Sequence, residues 1–146
     1  MSVSERQPMP QLPELKDRRL LIVDDDPEDR RVVGELAELH GCIVRRAASL
    51  QEMDAISREW APELLILDIV MPAPDGISIL RQLSEAHCRT PVLLISAHSE
   101  LLKPVHNLGR VYGTRVVGEL VKPIDAVGFV NALRAAFASV AAPAAQ

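Results

Sequence analysis

Three stretches of the chain are apolar at every position: Leu20-Leu21-Ile22-Val23, Leu64-Leu65-Ile66-Leu67 and Val92-Leu93-Leu94-Ile95. A strand with one wet face alternates apolar and polar residues, so runs without alternation must be covered on both faces, as central strands of a parallel sheet are. Longer stretches with apolar residues at helical spacing lie between them. This order of elements predicts an α/β domain, a (βα)5 unit with helices on both faces of one sheet once right-handed crossovers are imposed. The more mixed segments from Cys42 to Arg46 and from Val116 to Val121 suit the two edges.

Helix starts are marked by capping residues. Asp26 precedes Pro27 at a first helical position, with Val32, Val33, Leu36 and Leu39 following at helical spacing. Ser49 and Glu52 form a capping-box pair ahead of Met53, Ile56 and Trp60, and Asp75 precedes Ile77, Leu80 and Leu83. Asp125 caps a last helix carrying Phe129, Leu133 and Phe137. The fourth helix is the weakest, because Pro104 and Gly109 fall within Leu101, Leu102, Val105 and Leu108; its start is expected to slip to Pro104, or the helix to be marginally stable.

With 146 residues, 48% of them apolar, the chain can bury one core and has no room for a second full domain. Residues 1–16, with Pro8, Pro10 and Pro13 among polar residues, are expected to form a flexible N-terminal tail. Residues 17–140 form the folded domain, and the alanine-rich residues 141–146 a flexible tail or linker. The net charge of -4 and the absence of any basic run argue against direct nucleic-acid binding. No apolar run reaches the ~18 residues of a membrane span and no secretory leader is visible, so a cytoplasmic location away from membranes is expected. Cys42 and Cys88 lack the spacing of a redox or zinc motif.

The polar residues at the strand ends carry the chemistry. Asp24 and Asp25 directly follow the first strand, Asp68 the third, Ser96 the fourth, and Lys122 ends the fifth just before Pro123. All lie at carboxyl ends of strands, the ligand-binding edge of a doubly wound sheet; if strands one and three are neighbours, the acids meet at the topological switch point. Carboxylates sharing one pocket repel one another and need a hard cation to stay ionised together, and oxygen ligands favour Mg²⁺. A lysine and a hydroxyl at the same edge can receive phosphoryl oxygens. Asp26 reads as a helix cap rather than a ligand, Asp75 with Gly76 as turn and cap, and Glu28 and Asp29 as acids favouring the first helical turn without a role in chemistry.

Leu21-Ile22-Val23-Asp24-Asp25-Asp26-Pro27, Leu67-Asp68-Ile69-Val70-Met71-Pro72 with Asp75-Gly76, Leu94-Ile95-Ser96-Ala97 and Val121-Lys122-Pro123 together resemble the response-regulator receiver family of two-component signalling. The resemblance implies a five-stranded parallel sheet in order 2-1-3-4-5. It implies that Asp68 accepts a phosphoryl group from a sensor histidine kinase, a phosphotransfer protein or a small donor. It further implies Mg²⁺ held by Asp25, Asp68 and the backbone carbonyl of Val70, with Asp24 acting through water, and Ser96 and Lys122 on the phosphoryl group. A downstream effector, or a homodimer, would read the change through the region of the fourth helix, fifth strand and fifth helix. Such a chain receives a phosphoryl group and is not an enzyme, beyond self-phosphorylation from small donors and self-dephosphorylation. By the same resemblance, Val70 and His98 border the path of the hydrolytic water, so His98 is expected to affect the lifetime of the phosphorylated form.

Many receivers carry Tyr or Phe three residues before the lysine as a rotamer signal, and here that residue is Glu119, with Tyr112 as a nearby alternative. Leu108-Gly109 and the segment from Val117 to Pro123 resemble receivers joined to cyclic-di-GMP phosphodiesterase domains. Two other functions compete. A Mg²⁺-dependent phosphohydrolase of the haloacid dehalogenase type would also use Asp68 but needs a second acid where Val70 stands. A protein-interaction module of the same fold would dispense with phosphorylation.

Overall fold

The computed structural model describes residues 12–72 and 75–141, apart from the side chains of residues 140 and 141. Five strands alternate with five helices: β1 (Arg19–Val23), α1 (Pro27–Leu39), β2 (Ile43–Ala47), α2 (Leu50–Glu59), β3 (Leu64–Asp68), α3 (Gly76–Glu85), β4 (Val92–Ser96), α4 (Ser99–Tyr112), β5 (Val116–Val121) and α5 (Ala126–Ala141). All strand pairs are parallel and the order is β2-β1-β3-β4-β5. The three all-apolar runs therefore occupy the three central strands, and the mixed ones the edges.

Strand alternation explains why those runs had to be apolar throughout. Leu20, Ile22, Leu64, Ile66, Leu93 and Ile95 point to one face, where Val33 and Ala37 of α1 and Phe129, Leu133 and Phe137 of α5 cover them. Leu21, Val23, Leu65, Leu67, Val92 and Leu94 point to the other, against Met53 of α2, Ile79 and Leu80 of α3, and Leu102 and Val105 of α4. Burying such a side chain contributes ~2 kcal/mol, so both faces hold the sheet firmly.

The caps act as expected. Asp26 accepts hydrogen bonds from the Glu28 and Asp29 amides, Ser49 from the Glu52 amide and Asp75 from the Ser78 amide. Helix α4 departs from expectation by starting at Ser99 and running intact through Pro104 to Tyr112. Pro104 is exposed, so the carbonyl one turn back that it leaves unbonded, on exposed Glu100, faces water. Gly109 is buried, and a Cβ there would lie 2.7 Å from Val116 Cγ2, so its cost in helix propensity permits close packing of α4 on β5. Left-handed Gly113 closes the helix.

The expected N-terminal tail reaches too far. Leu15 is fully buried in the α1/α5 side of the core, its carbonyl accepts from Cys42 Sγ, and Glu14 pairs with Arg134 of α5. A turn, with the Leu15 amide bonded to the Leu12 carbonyl, lets this one leucine dock among polar neighbours. The remainder of both expected tails, residues 1–11 and 142–146, lies outside the described residues.

Candidate functional site

The sheet order makes β1 and β3 neighbours, with Val23 opposite Leu67, so the residues that follow them leave the sheet side by side. Carboxylate oxygens of Asp24, Asp25 and Asp68 lie within 4.8 Å of one another. Asp25 and Asp68 border a cleft of about 220 Å³ whose walls include Val70, Ala97, His98 and Lys122, with Asp24 buried behind them. Asp24 is fully buried and Asp68 nearly so, while Asp25 is exposed to the opening. A larger groove of about 530 Å³ between Arg18 and α5 gathers no comparable set of acids.

Local structure holds these groups in place. One Asp24 oxygen accepts from the Asp26 amide at 2.9 Å, and its backbone carbonyl accepts from the Arg30 guanidinium at 2.7 Å. Asp68 Oδ1 accepts from the Val70 amide at 3.0 Å, which curls the loop after β3 back over the carboxylate. That loop is pressed closely onto α3: a Cβ on Gly76 would lie 2.4 Å from Ile69 Cα, so no larger residue fits without moving backbone. The Gly76 amide bonds the Ile69 carbonyl at 3.2 Å.

Lys122 spans the site. Its Nζ donates to Asp24 at 2.9 Å, Asp68 at 3.1 Å and Asp29 at 2.7 Å. Burial alone would push its ammonium down, but the hydrogen bonds it donates to Asp29 and Asp24 outweigh that and hold the group above the usual lysine range. Burial raises Asp24 to about 6, against the hydrogen bonds from Lys122 and the Asp26 amide, and the nearby Asp68 charge adds to the rise. Lys122 thus sits among three carboxylates, with those of Asp25 and Asp26 also at the cleft. An all-oxygen donor set with excess negative charge fits a hard divalent cation.

Of the residues expected from sequence, Asp24, Asp25, Asp68, Val70, His98 and Lys122 meet at this edge. Ser96 comes to the same edge but is fully buried, and its Oγ accepts from the His98 amide at 2.9 Å, so Ala97 and His98 form the cleft wall there. Asp29 departs from the expectation of a helix-terminus role alone, since it makes the shortest Lys122 contact, at 2.7 Å. No local pattern points to this contact, because Asp29 and Lys122 are 93 residues apart in the chain. Asp26 caps α1 as expected while also bordering the cleft.

A second polar pair lies near the cleft, between α4 and β5. Val92 pairs with Val116 and Leu93 with Gly118, so β5 carries one extra residue in between. The bulge shifts the alternation: Val117 and Leu120 pack on the α1/α5 side, while Glu119 meets His106 of α4, Oε2 to Nδ1, at 3.1 Å. Tyr112, the expected aromatic alternative, is not placed to serve. It borders a groove with Ser84 and Arg115 at the opposite end of the sheet, because α4 runs antiparallel to the strands.

A parallel sheet with helices on both faces and a cation-accepting acid cluster at its switch point defines a doubly wound switch-type domain. The response regulator receiver domain family matches residues 20–134, and the chain belongs to it. It is 30% identical over 122 residues to protein PilH of Pseudomonas aeruginosa, covering 82% of this chain and 98% of that protein. It is 34% identical over 84 residues to the C4-dicarboxylate transport transcriptional regulatory protein DctD of the same species, covering 57% of this chain and only 18% of DctD. The chain spans 35% of the length of the transcriptional regulatory protein TrcR of Mycobacterium tuberculosis, so several relatives are much longer. Its fold is that of chemotaxis protein CheY4 of Vibrio cholerae, with TM-score 0.72 and 24% identity over 82% of this chain and 98% of that one. The protein is thus a receiver domain of the two-component response-regulator type, with an acidic pocket suited to Mg²⁺ and phosphorylation. These comparisons do not show the narrower resemblance to receivers joined to cyclic-di-GMP phosphodiesterase domains.

Proposed function

We propose that Asp68 is the phosphoacceptor of this receiver and that its phosphorylation alters partner binding or dimerisation through α4, β5 and α5. The observation that carries this is the Lys122 ammonium 3.1 Å from Asp68 Oδ2 in a cleft shared with Asp24 and Asp25. A carboxylate oxygen of Asp68 would form a bond to phosphorus as the bond from phosphorus to the donor's leaving atom breaks, and the leaving group would depart with that electron pair. Attack through a carboxylate oxygen calls for no general base; positioning and charge neutralisation do the work. Mg²⁺, held by Asp25, Asp68 and the Val70 carbonyl with Asp24 behind them, would neutralise phosphoryl charge. Lys122 would take one phosphoryl oxygen, and Ser96 another after releasing the His98 amide.

Receiver domains are phosphoryl-accepting signalling modules, and we assign no turnover to this one beyond self-phosphorylation and self-dephosphorylation. The donor would be a sensor histidine kinase or phosphotransfer protein, and the reader an effector or second copy, without direct nucleic-acid contact. Among the described residues no helix is long and apolar enough to cross a membrane, which supports a cytoplasmic assignment. Exposed Leu101 of α4 and Val121 of β5 supply apolar surface on the proposed output face. The phosphohydrolase alternative is not favoured, since exposed Val70 stands where its second acid belongs. With Mg²⁺ and acetyl phosphate, one phosphate should appear on the chain by mass spectrometry and be absent from Asp68→Asn; phosphate retained in that variant would refute the assignment. His98→Ala should change the dephosphorylation rate, because His98 and Val70 both line the cleft; an unchanged rate removes His98 from the water path.

A further inference from the structure

We infer that Asp29 is a positioning residue of this site, which holds Lys122 in a carboxylate cage and slows phosphorylation by anionic donors. The inference rests on Asp68 being the phosphoacceptor. An ammonium has three hydrogens to donate, and those of Lys122 are taken by Asp24, Asp29 and Asp68. A phosphoryl oxygen can gain a Lys122 hydrogen bond only when one of these acids gives way. Asp24 is fully buried and tied to the Asp26 amide, and Asp68 is the reacting group, itself held by the Val70 amide. Asp29 is the acid free to leave: its side chain is 40% exposed, on the first turn of α1, so it can swing into water.

Its charge acts in the same direction as its hydrogen bond. Asp29 adds a further negative group to the cleft wall, which strengthens attraction for a cation and repels a phosphodonor anion. Capping does not require this placement, because the amides at the start of α1 bond to Asp26, and a first-turn acid favours the helix dipole without having to reach Lys122. Asp29 therefore sets how readily Lys122 becomes available, trading phosphorylation rate for cation affinity.

The test uses the full chain at saturating Mg²⁺, with acetyl phosphate as donor: the Asp68 oxygen bonds to phosphorus, the phosphorus–oxygen bond to acetate breaks, and acetate leaves. Asp29→Asn and Asp29→Ala should acquire phosphate about tenfold faster than the wild type, the scale of one close charge removed. Asp29→Glu should keep a rate near wild type. Added salt should accelerate the wild type more than Asp29→Asn, since only the former has this repulsion to screen. Mg²⁺ affinity by calorimetry, in the absence of donor, should fall in Asp29→Asn and hold in Asp29→Glu. An Asp29→Asn that folds normally but reacts no faster than the wild type overturns the inference alone, as would failure of both neutral variants to fold. Phosphate on neither the wild type nor Asp29→Asn would overturn this inference and the phosphoacceptor assignment together.

Discussion

Lys122 and Glu119 stand three residues apart at the end of β5, yet their surroundings differ in kind. Lys122 gathers three carboxylates from β1, α1 and β3, two of them on strand ends pinned by backbone hydrogen bonds. Glu119 meets the single imidazole of His106 at the partly exposed α4–β5 seam. In the cleft, charge is crowded away from water and each group constrains the others. At the seam, the contact is one polar pair beside exposed apolar residues, so it can rearrange at little cost. The difference separates a site built for chemistry from a surface suited to transmitting a state.

Two closely packed glycines, Gly76 by the cleft and Gly109 at the seam, put the largest number on this comparison. A Cβ at Gly76 would press on the Ile69 backbone under the Asp68 loop, whereas one at Gly109 would press on a methyl group of Val116, a side-chain atom at the α4–β5 seam. Gly76→Ala is expected to cost about 3 kcal/mol in chemical denaturation, and Gly109→Ala about 1 kcal/mol. Equal costs would break the distinction between a pinned cleft and a yielding seam.

A smaller effect comes from charge crowding. Asp24 in the folded chain, at about 6, lies above its ordinary 3.8 because burial disfavours the anion. The folded state then holds the proton more tightly than the unfolded chain, so stability is lost as pH rises from about 4 to about 6, and stays lost above. Without divalent cation, Asp24→Asn should therefore raise Tm by about 5 °C at pH 7.5, with the gain shrinking as pH falls toward 4. A gain that is constant with pH would show that packing, and not the carboxylate charge, controls the difference.

The smallest expected effect belongs to the seam. A double-mutant cycle on His106→Ala and Glu119→Ala should give a coupling of about 0.5 kcal/mol, as for a partly exposed pair, with the rate of phosphorylation from acetyl phosphate unchanged. A change in that rate would tie the seam to the cleft and sharpen the route by which Asp68 and α4 communicate.

Much of the fold could be read directly from the chain because the governing signals are local. Unbroken apolar runs require strands covered on both faces, and Asp26, Ser49, Asp75 and Asp125 mark helix starts by side-chain capping. The principal acids were legible for a related reason: a residue that directly follows a strand must emerge at its carboxyl end. Helix α4 was harder, since Pro104 and Gly109 carry unfavourable propensity and only exposure of the one and packing of the other on β5 resolve it.

The sequence alone determined the alternation of elements, the central strands and the edge at which Asp24, Asp25, Asp68, Ser96 and Lys122 emerge, because each follows from spacing along a few neighbouring residues. Tertiary structure alone decided that Leu15 belongs to the core, that a bulge in β5 turns Glu119 toward His106, and that Asp29 reaches Lys122 across 93 positions of chain. Those contacts join segments far apart in sequence. Their partners are chosen by how helices and strands pack, and no local pattern records that choice.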